Sequence, residues 1–82
     1  MADVDEWLAE VAATLDVVSD DVLPDAIQRE LLDLTGEIAH RVVRLAVPLS
    51  SYLIGVAVGR GVAPQEAIAA VAALLPDRGA DT

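Results

Sequence analysis

The chain has no cysteine, lysine, asparagine or phenylalanine, a single histidine (His40), and two aromatic residues, Trp7 and Tyr52. Without cysteine there is neither a disulfide nor a thiolate metal site. One histidine cannot furnish a His-rich metal site or the histidine pair of a metalloprotease. No metal and no cofactor are therefore expected. With fifteen alanines among 82 residues and no Phe, a core must be assembled from short aliphatic side chains.

Positive charge is also scarce. Five arginines face fourteen acids, for a net charge of −9. Residues 1–37 hold eleven of the acids and only one base, Arg29. Nucleic-acid binding depends on clustered positive charge that displaces counterions, so no nucleic-acid partner is expected. The acids instead suit a solvated face that keeps an apolar protein in solution.

No basic stretch precedes an apolar one at the N-terminus, so a secretory signal is not expected. The longest uncharged run, residues 45–59, has 15 residues including Pro48 and two serines. A spanning helix needs about 20 apolar residues, so no membrane association is expected and the location is read as cytoplasmic. The abundance of Ala, Val, Asp and Arg, with no Lys or Asn, fits a high-GC bacterial genome.

What the chain does contain is helical periodicity. Val4, Trp7, Leu8, Val11 and Leu15 recur at helical spacing and predict a first helix over about 4–15, with Asp3 and Glu6 at capping-box spacing. Residues 16–24 read as a connector whose Val17, Val18, Val22 and Leu23 pin it to the core. Ile27, Leu31, Leu34, Ile38, Val42 and Leu45 form one stripe of a second helix over about 26–46, with Asp25 and Gln28 as its capping box. Leu32, Gly36, Ala39 and Val43 form a second stripe, so the apolar surface is wider than one neighbour requires.

Pro48 suits the first turn of a third helix, about 48–60, and Gly61 its stop. Leu49, Tyr52, Leu53 and Val56 form one face of that helix, Ile54 and Val58 another, and no charge interrupts it before Arg60. A fourth helix runs from Pro64 to about Leu75, ended by Pro76, with Ile68, Val71, Ala72 and Leu75 facing inward. The expected fold is all-α: a small antiparallel four-helix bundle of one domain, residues 1–76, with a polar tail at 77–82.

Two constellations stand out. Ser51, Gly55 and Gly59 make a ridge of small residues, which with Gly36 can serve close helix packing, either inside the chain or across a dimer. His40 and Arg44 are i, i+4 neighbours. If Pro48 folds the chain back, the free N–H groups of the third helix, with Ser50 and Ser51, can bind an anion such as a phosphate beside them. The simpler alternative is structural: Arg44 favours the negative end of its own helix, and His40 pairs with Asp33 or Glu37. A nucleophile–base pair of His40 with Ser50 or Ser51 lacks an oxyanion loop and a large cleft. No catalytic residue is assigned, and the protein is not expected to be an enzyme. Trp7 reads as a core anchor.

The stretch Leu31-Leu32-Asp33-Leu34, then Ala39-His40-Arg41-Val42-Val43-Arg44, then Val47-Pro48-Leu49-Ser50-Ser51-Tyr52-Leu53 with Gly55, and Trp7-Leu8 upstream, resembles a family of short actinobacterial proteins known as a domain of unknown function. The similarity extends from Trp7 to Leu75. His40, Arg44, Pro48, Leu49, Leu53 and Gly55 match its pattern, Ser50 stands where Thr is frequent, and Tyr52 where Phe is frequent. Leu45 departs from it, since a proline often follows the arginine in the family. Members occur alone or joined to molybdenum-cofactor guanylyltransferases. The resemblance therefore implies an accessory role in molybdenum-cofactor or molybdoenzyme biosynthesis, and no catalytic residue. The leading expectation is a non-catalytic helical interaction module, a homodimer, with a guanylyltransferase or molybdoenzyme as partner. The alternative is a small anion- or nucleotide-binding module using His40, Arg44, Ser50 and Ser51.

Overall fold

The structure is a computed structural model that describes residues 2–17 and 23–76. Among these residues there are four α-helices and no strand: α1 (Ala2–Thr14), α2 (Asp25–Arg41), α3 (Ala46–Gly59) and α4 (Pro64–Ala72). The inner stripe of α2 builds the core as its spacing predicts. Ile27, Leu34 and Ile38 are buried together with Ile54 of α3 and Ala67 and Ile68 of α4. Leu23, Leu31, Val47, Val58, Val71 and Leu75 pack around them. Each fully buried side chain of this size contributes roughly 1.5–3 kcal/mol.

The helices α2, α3 and α4 all touch one another. Each of the two connections, residues 42–45 and 60–63, is four residues long, which turns successive helices back on one another. Arg41 Nη1 donates a hydrogen bond to the carbonyl of Pro76 (3.3 Å), bringing the C-terminal ends of α2 and α4 together. So α2 and α4 run the same way, with α3 opposed.

Several helix boundaries differ from those the sequence predicts. The second helix ends at Arg41 and not near residue 46, because Val42 takes a non-helical conformation (φ −115°, ψ −89°). Val42 and Leu45 consequently leave the inner stripe and are exposed. The third helix begins at Ala46 and not at Pro48. A proline is tolerated anywhere in the first turn, because the N–H groups there have no intrahelical partner. The fourth helix proper ends at Ala72, followed by turns. Neither capping box forms as expected: Asp3 already lies inside α1, and Asp25 is the first residue of α2 behind Pro24, which makes no side-chain cap.

Helix stops are clearer. Val62 N–H donates to Ala57 O and Gly61 N–H to Val58 O (3.1 and 3.0 Å), with Gly61 at φ +108°. That is the Schellman arrangement, in which a left-handed residue satisfies the last carbonyls. The same pattern closes α1: Val17 N–H meets Ala12 O and Asp16 N–H meets Ala13 O, with Asp16 at φ 60°. Asp is one of the few non-glycine residues that visit this region.

Among the described residues the first helix contributes no side chain to the central core cluster, although its Ala12 is buried. Trp7, expected as a core anchor, is exposed, as are Val4 and Leu15. Val17 is exposed too, while Leu23 does pack against the core. Val18, Val22 and the tail 77–82 lie outside the described residues.

The glycine ridge does not seat a neighbouring helix within the chain. Among the described residues, a Cβ placed on Gly36, Gly55 or Gly59 would meet no atom of a neighbouring element within 4 Å. Internal packing of this ridge is thus corrected: these glycines face open space. Gly36→Ala is expected to raise stability by about 0.5–1 kcal/mol through helix propensity alone, read from the midpoint of chemical denaturation. A loss of stability would instead mean that another backbone lies against that face.

Candidate functional site

The third helix is apolar on nearly every side, so its sequence cannot say which side is inner. The structure turns Val47, Ile54 and Val58 toward α2 and α4. That choice puts the other face outside. Leu45 is 76% exposed, Leu49 68%, Tyr52 74% and Leu53 68%. Their spacing follows one side of the helix from its first turn to its middle, with no charged residue between Arg44 and Arg60. At these exposures the four side chains offer on the order of 500 Å² of mainly apolar surface, toward the upper end of the largest patch on a typical monomer. Tyr52 adds a hydroxyl to a large ring, a combination favoured at interfaces because one end is apolar and the other polar.

Two more apolar strips lie in the open. Leu32 and Gly36 are exposed on α2, on the side opposite Ile27, Leu34 and Ile38, and Val43 is exposed in the turn that follows. On α1, Trp7 and Leu15 border a shallow groove shared with Glu10, Val11 and Thr14. The first helix meets the rest of the chain near the start of α2, where Asp5, Asp25, Gln28, Arg29 and Leu32 line a cavity of about 210 Å³.

The corner containing His40 and Arg44 is less of a site than its sequence implies. Both residues are exposed, at the end of α2 and in the following turn. Ala46 N–H already donates to Val43 O (3.0 Å), Val47 N–H donates to Arg44 O (3.1 Å), and Pro48 has no N–H. The backbone donors that an anion would need are therefore occupied or missing. Because α3 begins at Ala46, Ser50 and Ser51 fall in its second turn and not at its free end. Ser50 borders a small pocket of about 140 Å³ whose other walls are Ile38, Val42, Ala46, Val71, Leu74 and Leu75. Among the described residues no hydrogen bond joins either serine hydroxyl to His40, and no group of three His, Cys, Asp or Glu side chains is placed to hold a metal ion.

Among the described residues, the cation of this region that is engaged within the chain is Arg41, not His40 or Arg44. Its Nε lies 2.8 Å from Glu37 Oε1, one helical turn back, and its Nη1 reaches Pro76. The i, i+4 spacing of Glu37 and Arg41 was the available signal. A pocket of about 310 Å³ runs between α2 and α4 and is bordered by Glu30, Asp33, Glu37 and Gln65 around an apolar floor of Leu34, Ile68 and Leu75. Acids crowd its rim without a base among its lining residues, so it has no counter-charge for a phosphate. No helix of the described residues is long and apolar enough to cross a membrane.

The chain belongs to the family described as Domain of unknown function (DUF6457), whose pattern matches residues 1–82. No curated protein and no solved structure matches it.

Proposed function

We propose that the protein is a non-catalytic helical interaction module that forms a homodimer through the outer face of α3. The observation that carries this reading is the apolar strip Leu45, Leu49, Tyr52 and Leu53, open to water on a helix without charge. Water contact with such a strip is unfavourable in proportion to its area. Two copies meeting there bury roughly 1,000 Å² or more in total, the threshold for a specific interface.

The resemblance of the central motif supports a finer assignment: a cytoplasmic accessory protein of actinobacterial type, serving molybdenum-cofactor biosynthesis. Its partner on this reading is a molybdenum-cofactor guanylyltransferase or a molybdoenzyme. Mixing the purified chain with such a guanylyltransferase tests it. Co-elution of a complex in size-exclusion chromatography is expected, and separate elution at tens of micromolar would contradict the assignment while leaving the dimer standing.

The anion-binding alternative rests on the side chains of His40 and Arg44 alone. Titration with inorganic phosphate or GTP is expected to give no saturable shift of the His40 or Ser50 resonances. Arg44→Ala is expected to change stability by no more than about 0.5 kcal/mol, as for other exposed positions. A saturable shift that Arg44→Ala abolishes would reinstate a binding site at this corner.

A further inference from the structure

The outer strip of α3 is bracketed by two arginines, Arg44 before its first turn and Arg60 after its last. Both are exposed and make no ion pair among the described residues. At 1.5 Å per residue they stand roughly 24 Å apart along the axis. A second copy of α3 is a poor cover for this strip. Packed antiparallel about a two-fold axis passing at Tyr52, it would set each Arg44 beside the partner's Arg60, with no acid anywhere on α3 to offset them. Like charges brought together in this way act against association.

The first helix has the complementary character. Trp7, Val4 and Leu15 are exposed. Asp5, Glu6, Glu10 and Asp16 are exposed as well, with no ion pair among the described residues. Residues 1–28 contain no base at all. From Asp5 to Asp16 the acids extend over roughly 16 Å of axis, and arginine side chains leaning inward cover the remaining distance. An apolar strip between two cations thus faces an apolar stripe among acids of matching length, the pattern by which an amphipathic helix docks in a groove.

Resting on the dimer reading above, we infer that the occupant of the outer α3 face is α1 of a second copy, exchanged reciprocally so that each chain's first helix covers the other's third. One operation then covers two of the exposed apolar strips of the chain, those of α1 and α3, and pairs acids with arginines that have no ion-pair partner among the described residues. Trp7 becomes the buried anchor of the contact. The Schellman turn at Leu15–Val17 closes α1 as a defined helix.

A charge exchange tests this. One variant carries Asp5→Arg, Glu6→Arg and Glu10→Arg; the other carries Arg44→Glu and Arg60→Glu. All five positions are exposed, and helical circular dichroism checks that both variants keep the fold. Each variant alone is expected to dimerise at least tenfold more weakly than the wild type. Mixed together they should form a heterodimer of near wild-type affinity, since both contacts then join opposite charges. Trp7 is the only tryptophan, so its emission should shift to the blue on dimerisation.

If the wild type dimerises but the helix-1 variant does so equally well, the exchange is wrong and the dimer reading survives. Stronger dimerisation of the single variant Arg44→Glu would identify the direct α3–α3 contact instead. A wild type that stays a single chain at high micromolar concentration overturns both, and a blue-shifted Trp7 in that monomer would show α1 folded onto its own chain.

Discussion

Leu49→Asp is expected to abolish self-association while leaving the folded chain intact. Leu49 is mostly exposed in the single chain, so its loss removes little internal packing and should change monomer stability by no more than about 0.5 kcal/mol. In the dimer the same position lies under a partner helix. A carboxylate there is stripped of water without a cation beside it, since Arg44 and Arg60 stand at the two ends of the strip. The penalty of burying such a group is at least about 2 kcal/mol. A two-fold dimer incurs it twice, so the dissociation constant should rise by roughly a thousandfold. Tyr52→Asp should behave alike. Sedimentation velocity across a concentration series reads the effect, with thermal melting of the variant as the control. Undiminished association of both variants would remove the outer face of α3 from the interface.

Ile38→Ala is expected to have the opposite profile, damaging the fold itself. Ile38 is 3% exposed and belongs to the one core cluster that joins α2 to Ile54 of α3 and Ala67 and Ile68 of α4. Truncating a buried isoleucine to alanine typically costs about 2–5 kcal/mol, through lost transfer energy and the cavity left behind. For a chain of 82 residues total stability is of the order of 4–12 kcal/mol. The melting temperature should therefore fall by at least about 10 °C. A loss below about 1 kcal/mol would mean that the three helices do not meet at Ile38. A Leu34→Ala variant should repeat the result from the adjacent turn.

The sequence revealed the core where polar residues bound it. Ile27, Leu31, Leu34 and Ile38 stand out against Arg29, Glu30, Asp33 and Glu37, so the inner stripe of α2 could be read directly. Pro64 and Gly61 marked the start of α4 and the end of α3 because their backbone demands are specific. The end of α2 was harder. Val42 and Val43 continue the apolar rhythm, and nothing in their side chains announces the turn that occurs there. The orientation of α3 was harder still: with Leu49, Tyr52 and Leu53 on one side and Ile54 and Val58 on another, no polar face distinguishes inside from outside. Trp7 was assigned to the core because its stripe is amphipathic, yet amphipathicity shows only that a helix has an apolar partner, not that the partner is in the same chain.

The same reasoning explains why the candidate site moved. His40, Arg44, Ser50 and Ser51 cluster in sequence around Pro48, which suggested a helix end with free donors. The helix begins two residues earlier, and the 3.0 and 3.1 Å bonds to Val43 and Arg44 use those donors. What remains at the surface is apolar, and it is the uncharged run 45–59 that retains a functional reading.

Sedimentation equilibrium of the wild-type chain, from low to high micromolar concentration, tests the central claim most directly. Association through the outer face of α3 predicts a rise in mass from 8.5 kDa to twice that value, with no species beyond the dimer, because a two-fold contact closes on itself. A mass fixed at 8.5 kDa across the whole range would contradict it.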